Sequence, residues 1–160
     1  MAKRRKLSTL QFEALPDELV LKALSYLEIP DLIRCGQTSK RIRAISQDES
    51  LWQKLNLYMK QIQTGFLQYI INNGCQYLSL HNAILEGERL NLNIKSKLKY
   101  LDLSDCQATD FVLEELLASC HLLQKLSLNM MNVNNKMIET LSRQNGQTLK
   151  SIDFLRSLIQ

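Results

Sequence analysis

The sequence predicts an α + α/β protein, with a three-helix module in its first third and a short array of strand–helix units after it. Three observations carry this. Between Phe12 and Leu57, Pro16-Asp17 and Pro30-Asp31 each open an apolar helical period. From Cys75 onward, leucine-type residues at relative positions 1, 4 and 6 recur at a nearly constant spacing, the mark of a repeat architecture. A chain of 160 residues, 45% apolar and 22% charged, has the balance of globular protein and is long enough for one ordinary domain or two small ones.

Pro16 suits the first turn of a helix, where its missing N–H costs nothing, and Asp17 and Glu18 complement the positive helix end. Leu15, Leu19, Ala23 and Leu27 then recur at helical spacing, while Val20 and Leu24 widen the stripe to a face too broad for solvent. That face must meet something. Ile29-Pro30-Asp31 starts a second, short helix through Leu32, Ile33 and Cys35 that Gly36 ends. Thr38 or Ser39 caps a third, basic helix in which Ile42 and Ile45 point one way and Lys40, Arg41 and Arg43 another. Asp48-Glu49-Ser50-Leu51-Trp52 closes the segment. Tyr58 to Asn73 reads as a linker helix on Ile62, Phe66, Tyr69 and Ile70, ended by Asn72-Asn73-Gly74.

The repeats follow. Leu98-Lys-Tyr-Leu101-Asp-Leu103-Ser-Asp-Cys106 fits LxxLxLxxC, the leucine-rich-repeat signature. Copies begin at Leu123 and Leu149, and a weaker first copy begins at Cys75. Phe111 to Cys120 and Met137 to Ser142 read as the intervening helices, with Asp110 and Asn135 as their starts, and the connection from Ile84 to Ser96 is expected to be irregular. Because side chains alternate along a strand, the L-x-L leucines turn inward. The outward set is Tyr77, Ser79 and His81, then Tyr100, Asp102 and Ser104, then Lys125, Ser127 and Asn129, then Ser151, Asp153 and Leu155. Parallel stacking puts Tyr77 beside Tyr100 and makes a polar column of Ser79, Asp102, Ser127 and Asp153. Tyr77, Tyr100, Asp102, Lys125 and Ser127 are the candidates for binding a target protein.

Other classes of function find little support. The formal charge is +4, much of it in Lys3-Arg4-Arg5-Lys6; this short run reads as a nuclear localisation signal or a solvated tail, and no nucleic-acid partner is implied. No stretch is long enough to span a bilayer and no signal peptide is seen, so the nucleus and cytoplasm are expected and a membrane is not. Cys35, Cys75, Cys106 and Cys120 form no CxxC pair, and His81 and His121 accompany neither a nucleophile nor a ligand cluster. The expectation is no metal, no cofactor and no catalytic residue.

From Leu15 to Leu55 the sequence, without a gap, resembles the F-box family in its leucine-rich-repeat branch. The residues that carry this are Leu15-Pro16-Asp17-Glu18-Leu19, Tyr26-Leu27, Ile29-Pro30-Asp31-Leu32 and Ser50-Leu51-Trp52. Where many members have Trp after Lys-Arg in the third helix, Ile42 stands here. The resemblance implies a basic disordered tail at 1–11, an F-box at 12–57, the linker helix at 58–74 and a partial, right-handed leucine-rich-repeat solenoid of about four repeats at 75–160. It also implies an interface with a Skp-type adaptor made by Leu15, Pro16, Leu19, Leu24, Leu27, Ile29, Pro30, Leu32 and Trp52. Through the adaptor come cullin and RING subunits; a substrate protein, phosphorylated or not, would sit on the repeats. A module of about forty residues leaves much apolar surface in water, which is an independent reason to expect a partner. The expected role is a non-catalytic substrate receptor of a Skp–cullin–F-box ubiquitin ligase. The alternatives are a competitor that binds the adaptor without a productive target, and a plain interaction scaffold using the repeats alone. Gln160 follows the fourth strand without a polar cap, so a truncated form or an incomplete chain is expected.

Overall fold

The computed structural model describes residues 14–92, 95–156 and 158–159. The basic run at 3–6 lies outside the described residues, as does Phe12. The chain forms two compact units that divide between Leu51 and Trp52.

The first unit is helical: α1 (Asp17–Leu24), α2 (Ile29–Gly36), α3 (Lys40–Ser46) and α4 (Glu49–Trp52), the last running to the boundary. Pro16 stands one residue outside α1, where its carbonyl accepts the N–H groups of Leu19 and Val20 at 3.1 and 3.2 Å. Pro30 lies in the first turn of α2, as its lost N–H allows. Of the two candidate caps for α3 it is Ser39 that serves, its hydroxyl accepting the Ile42 N–H at 3.1 Å. Val20, Leu24, Leu32, Ile42 and Ile45 are buried. Gly36 is buried too, and a Cβ there would lie 2.6 Å from Ser46 Oγ, so the close approach of α2 and α3 depends on the missing side chain. Two arginines tie the helices together. Arg41 donates to Asp17 Oδ1 from Nε at 2.8 Å and also to the Leu15 carbonyl, and Arg43 Nε donates to the Gly36 carbonyl at 3.1 Å, at the negative end of α2.

The second unit is α/β. Its elements are β1 (Lys54–Asn56), β2 (Gln61–Gln63), α5 (Thr64–Asn72), β3 (Tyr77–Ser79), β4 (Ile84–Glu86), β5 (Tyr100–Asp102), α6 (Asp110–Ser119), β6 (Lys125–Ser127), β7 (Asn132–Val133), α7 (Asn135–Asn145), β8 (Ser151–Asp153) and β9 (Leu158–Ile159). Five strands make one parallel sheet in chain order, β1-β3-β5-β6-β8, while β2 with β4 and β7 with β9 form parallel pairs. Parallel neighbours need a crossover. Helices supply it between β1 and β3, β5 and β6, and β6 and β8. Their apolar faces, Leu67, Ile70 and Ile71 on α5, Val112, Leu113, Leu116 and Leu117 on α6, Met137 and Leu141 on α7, are buried with Leu78, Leu80, Leu101, Leu103, Leu126 and Leu128 of the strands and their ends.

Two local devices recur. A residue with positive φ follows each strand of the main sheet at the same place: Met59, Asn82, Asp105, Met130 and Arg156, all between 52° and 60°. The carbonyls of Gln53, Gln76, Lys99 and Gln124 each accept two consecutive N–H groups from the next strand's entrance. Buried Asn145 stitches one turn to another, donating to the Cys120 carbonyl at 2.9 Å and accepting from Leu123 N–H at 3.1 Å. Burial pushes the thiols of Cys75 and Cys106 up to about 12 and that of Cys120 up to about 11.

Two sequence expectations are corrected here. The sheet begins one strand earlier than the copy at Cys75, because Trp52-Gln-Lys-Leu55-Asn-Leu57 holds the same register and pairs residue for residue with β3. Residues 58–73 are therefore no continuous linker helix; 58–63 make a turn and a short strand, and α5 is the first crossover of the sheet. Asp110 and Asn135 start α6 and α7 as expected, and Thr109 and Asn134 cap them by accepting from Val112 and Met137 N–H. The connection after β4 is irregular as expected, with no helix among its described residues. Gln68 Nε2 donates to the Asn91 carbonyl at 2.8 Å, and Leu90, itself buried, donates its N–H to Glu115 Oε2 at 2.5 Å.

Candidate protein-binding faces

The apolar stripe of α1 separates into two parts. Val20 and Leu24 turn into the helical unit, whereas Leu19 is 52% exposed, and Tyr26 and Leu27 beyond the helix end are 79% and 38% exposed. Pro16 and Pro30 are exposed and Leu15 and Ile29 are half-buried, so six of the nine residues expected to meet an adaptor reach the surface. The other three do not. Leu24 and Leu32 belong to the unit's own core, and Trp52, 1% exposed, packs edge-on against Tyr69 of α5 with ring centres 5.1 Å apart. Tyr26 was absent from the expected set, although its place beside Leu27 in the motif marked it. Ile42 is buried and packs internally.

The exposed face of the main sheet is ordered in columns by its register. The first column runs Lys54, Tyr77, Tyr100, Lys125, Ser151, and the second Asn56, Ser79, Asp102, Ser127, Asp153. In the first column the Tyr77 and Tyr100 rings stack with centres 6.5 Å apart. Lys54 Nζ lies over Tyr77 at 5.2 Å, and Lys125 Nζ over Tyr100 at 6.0 Å, so two cations close the two ends of the aromatic pair. A shallow depression of about 180 Å³ opens beside them, lined by Lys54, Leu55, Asn56, Tyr77, Ser79 and Tyr100. Burial, and then the carboxylates of Asp102 and Asp153, hold the Tyr100 phenol above its ordinary range. Beyond the strands Tyr58 stacks on His81, ring centres 5.3 Å apart.

The second column is largely engaged within the fold. Asp102 accepts the Ser104 N–H on Oδ1 at 3.0 Å and the Ser79 hydroxyl on Oδ2 at 3.5 Å. Ser127, expected to contact a target, is buried: its hydroxyl lies 2.8 Å from Ser104 Oγ and accepts from Asn129 Nδ2 at 3.0 Å. Tyr77, Tyr100 and Lys125 are brought together as expected. Lys54 completes their column and was missed, because Trp52-x-x-Leu55-x-Leu57 was read as the end of the helical module and not as a strand 23 residues ahead of Leu78 and Leu80.

Among the described residues no group of His, Cys, Asp and Glu could hold a metal ion, and no helix is long and apolar enough to cross a membrane. Residues 12–58 match the F-box-like family, which makes the helical unit and the first strand of the sheet an F-box-like region followed by an α/β region with a parallel sheet. Domains of this family typically bind Skp-type adaptors.

Proposed function

We propose that this protein is a substrate receptor of a Skp–cullin–F-box ubiquitin ligase, docking on the adaptor through its helical unit and holding a target protein on its parallel sheet. The observation that carries it is the exposure of Leu19, Tyr26 and Leu27 on the segment that matches the F-box-like family. A unit this small, with large apolar side chains left in water, gains most by covering them with a partner. The second unit is read as a leucine-rich-repeat array. That is supported by five in-register strands, an L-x-L pair on each of the first four with Ile152-x-Phe154 on the fifth, and one positive-φ residue per turn. The ESLWQ ending and the cysteine-bearing repeats are similar in sequence to those of the S-phase-kinase-associated F-box protein.

On this reading the protein positions and does not catalyse. Holding a target near the ubiquitin-loaded enzyme raises its effective concentration, so transfer becomes nearly intramolecular. Co-purification with mass spectrometry tests it. Recovery of adaptor and cullin, with a ubiquitylated protein whose modification depends on the chain, is the expected result. Adaptor without any such protein would make the chain a competitor of other receptors, and absence of the adaptor would make it a scaffold.

A further inference from the structure

Lys54 and Lys125 are the least explained charges on the sheet face. Both are exposed, both sit at the ends of the stacked tyrosines, and neither ammonium has a carboxylate within ion-pair distance among the described residues. On the adjoining column Asp102 accepts from Ser104 N–H and the Ser79 hydroxyl. The first column itself therefore carries two ammonium groups and no carboxylate, the acids of this face, Asp102 and Asp153, standing on the second column. Resting on the reading of this face as the target-holding surface, we infer that it recognises an extended acidic peptide segment, with two Asp or Glu side chains bracketing an apolar or aromatic one.

Spacing makes this specific. Lys54 on β1 and Lys125 on β6 are three strands apart, about 14 Å. An extended peptide rises about 3.3 Å per residue, so acids at i and i+4 match the two lysines, and i+2, on the same side of the peptide, falls over the Tyr77–Tyr100 pair. Stacked rings give that central residue a flat apolar seat. The peptide lies across the strands, and the depression beside Tyr77 takes one of its side chains.

A random seven-residue library between Gly-Ser spacers, displayed on phage and selected on the full chain, tests the inference. The expected result is enrichment of Asp or Glu at i and i+4 with an apolar residue at i+2, and capture that weakens as salt rises. Lys54→Glu with Lys125→Glu should cut affinity for the best selected peptide more than tenfold and, on reselection, exchange acids for Lys or Arg at the same positions; circular dichroism of this variant checks that the fold is kept. No enrichment of acids, or the same enrichment in the charge-reversed chain, would overturn the inference. Adaptor binding is read separately by calorimetry, so acid selection by a chain that ignores the adaptor would support the peptide chemistry while removing the ligase role.

Discussion

Leu19 on α1 and Leu101 on β5 both belong to regular apolar periods, yet the first is 52% exposed and the second has no exposure at all. The helical unit puts one edge of its stripe inside and leaves the other edge in water. The α/β unit closes the L-x-L pairs of its first four strands under a crossover helix or connection, leaves Ile152 half-buried and Phe154 exposed on the fifth, and shows solvent a polar and aromatic face. The two patterns teach different things. On the proposed function the exposed leucines of the helical unit await a partner, whereas in the sheet the leucines are structure and the column just ahead of each pair, Lys54, Tyr77, Tyr100 and Lys125, is left for recognition.

Substitution of matched leucines tries that contrast most severely. Leu101→Ala should cost about 2–5 kcal/mol of stability, since a fully enclosed site loses both transfer energy and packing. Leu19→Ala should stay within about 0.5 kcal/mol, as surface changes do. Urea unfolding followed by circular dichroism compares them; similar losses would erase the distinction between the units.

Strain within the repeats offers a smaller effect of opposite sign. Met59, Met130 and Arg156 occupy the left-handed place that Asn82 and Asp105 fill in sister turns, and Asn tolerates it where Met does not. Met130→Asn should therefore stabilise by roughly 1 kcal/mol, read as a higher urea midpoint. A lower midpoint would mean that the exposed Met130 side chain contributes more than its backbone costs.

The smallest effect is electrostatic. Hydrogen bonds from Lys136 and then Asn134 hold the Glu114 carboxyl below its ordinary range. A depressed folded pKa adds stability that is complete above the ordinary glutamate range and is lost as pH falls through the folded value. Lys136 is exposed and solvent screens the pair, so the gain is less than about 1 kcal/mol. Glu114→Gln should lower stability at neutral pH and flatten this part of its acid dependence; an unchanged pH profile would remove the clamp between α6 and the start of α7.

Much of this architecture was legible from residues alone. The four registers from Cys75 correspond to the strands, and Pro16, Pro30 and Ser39 mark the helix starts to within a residue. What escaped had physical causes. Trp52-x-x-Leu55-x-Leu57 serves two patterns at once, ending the helical motif and opening the sheet, and a linear reading gives it to the first. Burial of Leu24, Leu32 and Trp52 could not be separated from exposure of Leu19 and Leu27, because periodicity shows that residues share a stripe and not which edge of it the unit's own core covers. Ser127 was placed outward by alternation, and it is outward; it is covered by Ser104 of the turn after β5 and Asn129 of the turn after β6.

The division of labour between the units is tested most directly by titrating a purified Skp-type adaptor into the chain and into Leu19→Asp by calorimetry, with unfolding of both chains measured alongside. Saturable binding by the unaltered chain, its loss in Leu19→Asp, and unfolding within about 0.5 kcal/mol of the unaltered chain would be the expected result, because Leu19 is exposed in the free chain and on the proposed function is buried only against the adaptor. Equal affinity in the two chains, or no binding by either, would contradict it.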